Sequence, residues 1–454
     1  MNILDGALSD LYLKYKDNNS IDKSLYEKLN IARGLRNPDG TGVAVGITNI
    51  CSVRGYIVDD GIKTATEGSL RYRGYSISDL VNGALADGRF GFEEVIYLLL
   101  FGVLPDNNDL EQFKNIMAEL RELPEFFAED HMLKTPSKDI MNKMARSVLS
   151  LYSYDDNAED ISLENVLRQS LELIARLPAI MTYAYQIKRR HFDSKSMFFH
   201  PNDKSLSIAE SILMSIRPDK KFTAEDAKML DTCLMLHADH GGGNNSTFTV
   251  RCLTSTGTDT YSAIAGGISS LKGPLHGGAN IATVKMIDDF QNAGITGSDD
   301  SKVKDYIAKT LTKQVGDKKG VIYGMGHAVY SLSDPREKIL KAMVEENAAA
   351  YGFEDEFRLL DAIERLTPEV FAEIKNSDKP LCANVDLYSG LVYKMLGISR
   401  DLFTPIFAVS RIAGWSAHRM EELNSYSRIM RPAYRDNRHK IQYVPIGERK
   451  EENK

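Results

Sequence analysis

From about Ser78 onward, apolar residues return every three or four positions along the chain. Leu110, Phe113, Met117 and Leu120 share one helical face, as do Leu163, Val166, Leu167, Leu171 and Ile174. Side chains at that spacing project to the same side of an α-helix. Pro178 is expected to end the second of these helices, because proline removes a backbone donor and crowds the preceding turn. Stripes at Ile208, Ile212, Leu213 and Ile216, and at Met229, Leu230, Cys233 and Leu234, predict two more. The β signal is confined to the first part of the chain. Alternation at Val43, Val45 and Ile47, in and after the glycine-bearing stretch from Gly34 to Gly46, predicts a short strand, with Tyr56 to Val58 as partner. Strands never alternate with the helices, which excludes a parallel α/β sheet, and no fixed-period repeat indicates a solenoid. The fold class is mainly α with a short N-terminal β element, preceded by a polar segment to about Asn30 that suits a helical arm.

With 454 residues, the chain is too long for one ordinary core, so two or more domains are expected. The Gly-rich turn around His276 and the step at Gly397 to Ser399 are the best boundary candidates. Hydrophobic residues make up 43% and charged residues 26%, which excludes a disordered chain. A formal net charge of -7 gives no reason to expect nucleic acid or an anionic membrane as partner. An anionic small ligand would need a local arginine cluster. The four cysteines, Cys51, Cys233, Cys252 and Cys382, form no C-x-x-C pair and read as thiols of a reducing compartment. Met1 to Asp17 lacks the apolar region of a secretory signal, and Val95 to Leu104 is too short to span a bilayer. A cytoplasmic protein is expected.

Candidate chemistry clusters at glycine-flanked histidines. In Gly273-Pro274-Leu275-His276-Gly277-Gly278-Ala279-Asn280, the proline and glycines place His276 in a turn, and the apolar pattern after it starts a helix. There a neutral imidazole could donate to a developing negative charge; a histidine that only packs locally is the simpler alternative. His237-Ala238-Asp239-His240 precedes a glycine run, so His240 lies near a helix C-terminus. No third ligand stands at a telling distance, and no metal site is expected. Tyr323-Gly324-Met325-Gly326-His327 sets a third histidine behind a G-x-G step that lacks the rest of a dinucleotide fingerprint. Asp334-Pro335-Arg336 then ends a turn and starts a helix. Asp386 occupies a typical N-cap position, leaving capping and general-base roles both open. Arg411 interrupts the apolar stripe of Ile406, Val409, Ile412 and Ala413, so it either snorkels or holds an anion. Arg431 stands before Pro432.

Taken together, these motifs resemble the citrate synthase family over most of the chain. Glu67 to Tyr75 with Phe92 to Gly102 is similar to that family's N-terminal signature. His237 to Thr247, Gly273 to Asn280, Gly324 to Tyr330 with Arg336, Asn384 to Gly390, and Val409 to Arg411 follow its active-site segments in order. The resemblance implies a two-domain helical fold. Residues 1–275 would form the first part of the large domain, with an arm over 1–35; residues 276–396 would form the small domain, and 397–454 would return to the large one. It also implies an acyltransferase that condenses acetyl-CoA with oxaloacetate and hydrolyses citryl-CoA; a 2-methylcitrate synthase using propionyl-CoA is the alternative. His276, His327 and Asp386 would be catalytic: Asp386 the base, His276 the donor to the enolate oxygen, His327 the group polarising the oxaloacetate carbonyl. A donor of that kind is worth roughly 3 kcal/mol in oxyanion sites. Arg336, Arg411 and Arg431 would bind carboxylates, with His240 assisting. Arg431 would reach the neighbouring subunit's site, which implies a homodimer with shared sites; assembly beyond a dimer stays open. Tyr323, Gly324, Met325 and Gly326 would receive the CoA adenine, and Lys375 or Lys379 its phosphates. No cofactor is implied, acetyl-CoA being a substrate.

Overall fold

The computed structural model describes residues 3–37, 40–59, 62–377, 379–425 and 428–449. Helices α1 (Ile3–Asn18) and α2 (Ser24–Lys28) form the predicted arm, which is largely exposed. A three-stranded antiparallel sheet follows, in the order β1 (Cys51–Asp59), β2 (Ile62–Tyr72) and β3 (Tyr75–Ser76). Then come α3 (Ile77–Ala86), α4 (Phe92–Phe101), α5 (Asn107–Glu119), α6 (Ile140–Leu151), α7 (Leu163–Phe192), α8 (Ile208–Ile216) and α9 (Ala224–His237). The chain continues through α10 (Asn245–Thr254), α11 (Thr260–Lys272), α12 (Ala279–Asn292), α13 (Asp300–Leu311), α14 (Pro335–Asn347), α15 (Glu354–Lys375), α16 (Asp386–Met395) and α17 (Phe403–Asn424). The fold is mainly α, as expected. Among the described residues no helix is long and apolar enough to cross a membrane.

The first predicted strand is not formed. Residues 43–47 are irregular, with Val45 and Ile47 exposed. β1 finds its partner in the next segment instead, pairing Cys51 with Tyr72 and Val53 with Leu70. Alternation without a neighbouring strand leaves backbone groups to water, and here the hairpin takes the pairing. Pro178 also does not end its helix, since α7 runs on for 30 residues with the proline inside it. The turns after Pro178 bury Ile180, Met181, Ala184 and Ile187. At roughly 1.5–3 kcal/mol per buried apolar side chain, that burial outweighs the cost of about 3 kcal/mol for an interior proline.

Helix α17 is the centre of the packing. It touches α7, α10, α4, α11 and α9, and it is buried on all sides from Phe403 to Arg419 apart from half-buried Phe407. A helix enclosed in this way should be apolar throughout, yet α17 buries Arg411, His418 and Arg419. Polar side chains in such a place need partners or a function. Helices α12 to α16 pack largely on one another, through α13 with α15, α12 with α16 and α14 with α16. The β1–β2 hairpin closes the gap between the layers: a Cβ at Gly68 would collide with the Ser333 carbonyl, and the Gly68 N–H donates to Ser333 Oγ (3.1 Å). The loop before α14 is thus pressed against β2.

Candidate active site

A cavity of about 300 Å³ opens between the layers, lined by His240, His276, His327, Arg336, Asp386 and Arg411. Six of the seven residues expected to be catalytic or carboxylate-binding therefore meet in one place. They come from the loop after α9, the turn before α12, the loop before α14, the starts of α14 and α16, and the middle of α17.

The His276 turn is held by hydrogen bonds from the His276 N–H to Gly273 O (2.9 Å) and from the Gly277 N–H to Leu271 O (3.0 Å). The Ser246 N–H, at the start of α10, donates to His276 Nε2 (3.3 Å), and Ser246 Oγ lies 3.0 Å from the same nitrogen. An amide N–H can only donate, so Nε2 accepts and the ring proton sits on Nδ1. The His327 ring is fixed the other way round. The N–H groups of Val329 (3.0 Å) and Tyr330 (3.2 Å) both donate to Nδ1, which puts the proton on Nε2. Burial, reinforced by the charge of Arg411, lowers His276 to about 4. Burial and the charge of Arg336 lower His327 to about 4. Both rings are neutral N–H donors at neutral pH. His240, 3.2 Å from the Tyr330 hydroxyl, is held well below the usual histidine range by burial and Arg336.

Asp386 is the first residue of α16 and not its N-cap; Val385 holds that position and makes no side-chain cap. The capping role left open by the sequence is therefore excluded. The Asp386 N–H donates to Asn384 Oδ1 (2.9 Å). The Asn384 side chain in turn donates to Gly326 O (2.7 Å), and the Gly326 N–H donates to Cys382 O (2.7 Å). This seam joins the segment before Asp386 to the one before His327. Burial, reinforced by Asp334 and opposed by Arg336 and Arg411, pushes the Asp386 carboxyl up to about 6. A carboxylate that titrates there is a far better base than an exposed one.

The two arginines differ. Arg336 is paired in a fork with Asp334 (Nε to Oδ1 3.0 Å, Nη2 to Oδ2 2.7 Å), both nearly inaccessible. Arg411 donates from Nε to His237 O (2.6 Å), while its buried Nη1 and Nη2 have no hydrogen-bond partner. Burial lowers its pKa, opposed mainly by Asp239. A buried, unpaired guanidinium fork is built for a carboxylate.

The remaining expectations fall elsewhere. Gly326 lines the cavity, but Tyr323 lines an adjoining one of about 1000 Å³ that also carries Lys272, Lys285 and Lys319. Arg431, Lys375 and Lys379 are exposed and line neither. Tyr393 and Phe407 also line the first cavity, outside the expected motifs, and so do Asn244 and Asn280, which lie within them. Tyr393 stands seven residues after Asp386, and Phe407 four before Arg411, so helical spacing alone would have found both. His237 lines the cavity too, with both ring nitrogens unpartnered and its ring tilted over Phe407, centroids 4.5 Å apart. Two neutral N–H donors, a carboxyl poised near neutrality and a vacant cation suit proton abstraction beside a carbonyl in a carboxylate-bearing ligand set.

Comparison with known proteins agrees with this geometry. The family model described as "Citrate synthase, C-terminal domain" matches residues 37–433. The chain is 34% identical over 397 residues to the citrate synthase of Synechocystis sp., covering 85% of this chain and 89% of that one. It is 33% identical over 381 residues to the 2-methylcitrate synthase of Shewanella oneidensis, covering 84% and 90%. Among solved structures, the citrate synthase of the thermophilic archaeon Thermoplasma acidophilum, in a ternary complex with carboxymethyl coenzyme A and oxaloacetate, superposes with a TM-score of 0.74 at 27% identity, covering 92% of this chain and 99% of that one. The chain belongs to the citrate synthase family and is a transferase of that type.

Proposed function

We propose that this enzyme condenses acetyl-CoA with oxaloacetate and hydrolyses the resulting citryl thioester to citrate and free CoA. The observation that carries this reading is the pair of oppositely fixed histidine tautomers around a carboxyl raised to about 6. Asp386 takes a proton from the thioester methyl group, and His276 Nδ1–H donates to the oxygen on which the negative charge develops. The methyl carbon attacks the ketone carbon of oxaloacetate, whose oxygen is polarised by His327 Nε2–H. Arg411 and Arg336, with His240, hold the carboxylates. Water then cleaves the thioester, and CoA leaves as the thiol.

A cavity of about 300 Å³ accommodates the reacting ends but not a whole CoA. The nucleotide end extends along Tyr323 to Gly326 toward the adjoining lysine-bearing cavity. In the Thermoplasma relative both a CoA analogue and oxaloacetate are bound, which supports the same pair of ligands here. We assign residues 276–396 to a small domain that closes over them and excludes water. Arg431 lies on an exposed segment with exposed Ile429, Tyr434, Ile441 and Tyr443, which suits a homodimer in which it completes the neighbouring site. A cytoplasmic location is proposed with this activity.

The Shewanella relative favours a second reading, propionyl-CoA as acyl donor. One methylene is worth roughly 1–3 kcal/mol in such a pocket. Release of free thiol from acetyl-CoA and propionyl-CoA, each with oxaloacetate, tests both. Faster oxaloacetate-dependent release from acetyl-CoA supports the first reading; a propionyl-CoA preference replaces it with the second.

A further inference from the structure

Helix α17 presents Arg411, Gly414 and His418 at i, i+3 and i+7, on one face about two turns long. The loop after α9 lies across that face. The Gly414 N–H donates to Ala238 O (3.1 Å), and a Cβ on Gly414 would come within 2.6 Å of Asp239 Oδ1. The missing side chain admits a wholly buried carboxylate between the arginine and the histidine.

Asp239 is the leading charge that opposes the loss of the Arg411 proton, yet the two share no hydrogen bond. Its Oδ2 accepts from His418 Nε2 (3.0 Å) and from the Gly241 N–H (3.3 Å) instead. The other face of the imidazole is fixed by Arg251, whose Nε (3.1 Å) and Nη2 (2.7 Å) lie against His418 Nδ1. A guanidinium only donates, so the His418 ring proton is on Nε2, directed at Asp239. Arg251 is itself anchored by Glu422 (2.7 Å) and by Glu421. Arg336 shows the alternative outcome, a guanidinium taken in a fork by its own neighbouring carboxylate.

Resting on the reading above, we propose that His418 is a positioning residue: with Arg251 behind it, it holds Asp239 away from Arg411, so that the guanidinium fork stays vacant for a substrate carboxylate. Without that donor, the nearest acceptor-rich group would turn to the unpaired guanidinium and compete with substrate.

The experiment is calorimetric titration of the folded full chain with oxaloacetate, alongside steady-state kinetics. His418→Leu should weaken oxaloacetate binding on the order of 10- to 100-fold, as for loss of a charge-assisted hydrogen bond. It should raise KM for oxaloacetate far more than it lowers kcat. His418→Gln, which can still donate toward Asp239, should restore most of the affinity. Asp239→Asn cannot form the competing ion pair, so alone it should change affinity less than about threefold, and combined with His418→Leu it should recover binding. The Asp239→Asn arm stands by itself if the leucine variant does not fold: a loss of affinity there as large as tenfold overturns the proposal. Unchanged affinity in folded His418→Leu, or a fall in kcat alone, also overturns it. A wild-type chain that binds no oxaloacetate overturns the functional reading and this inference together, whereas wild-type binding with unaltered variants overturns this inference only.

Discussion

The His276 turn and the His327 loop use the same materials, a histidine among glycines at the edge of a helical segment, yet they fix opposite tautomers. The His327 ring is held by the N–H groups two and three residues later. The His276 ring is held by Ser246, 30 residues earlier in the chain, at the start of another helix. The difference shows that the ring nitrogen offered to a ligand is decided by which backbone donors reach the other one, and not by the histidine's own flanking sequence. One clamp travels with its loop; the other forms only when α10 packs beside the turn.

Removing the carboxylate proposed as the base should have the largest effect. Asp386→Asn is expected to lower turnover by about 10²- to 10⁴-fold while leaving oxaloacetate affinity nearly intact. Under the proposed roles, the two histidines should then separate by substrate. Either His276→Ala or His327→Ala should cost about 10²- to 10³-fold in kcat, but only His327→Ala should also weaken oxaloacetate binding in a titration without acyl-CoA. Equal effects on that affinity would break the comparison.

Next comes pH. Burial raises the Asp386 carboxyl to about 6, so, with that group as the proposed base, kcat/KM should fall as pH drops through that value and the carboxylate takes up a proton. The stability effect has the opposite sense: a carboxyl raised in the folded state contributes stability at low pH that is lost as pH rises through about 6. Asp386→Asn should therefore melt higher than wild type at pH 8 and alike at pH 3.5. The smallest effect is expected from Ser246→Ala. It keeps the N–H that fixes His276 and should change turnover less than about threefold, with ring-nitrogen NMR still showing the Nδ1–H form.

What could be read in advance follows the same division between local and distant causes. The helical stripes, the turn at His276 and the helix start at Arg336 depend on neighbours in sequence, and they appear where expected. The strand at 43–47 failed because its partner segment paired with β2, and the break at Pro178 failed because burial further along α7 outweighed a local rule. Asp386 lies one residue inside its helix, a shift that removes capping as an explanation. His418 carries no motif of its own, and the motif from His237 to Thr247 does not single out Asp239; the link between them exists because Gly414 lets two distant segments touch. Arg431 is exposed and stands apart from the other expected site residues, outside the cavity they line.

The most direct test of the central claim is oxaloacetate-dependent release of CoA thiol from acetyl-CoA, measured for the wild type and for Asp386→Asn under the same conditions. Release by the wild type, with at least a hundredfold loss in a variant that still binds oxaloacetate, is the expected result. Thiol release by Asp386→Asn close to the wild-type rate, or none from the folded wild type, would contradict the assignment of that carboxylate as the base in a citrate-forming site.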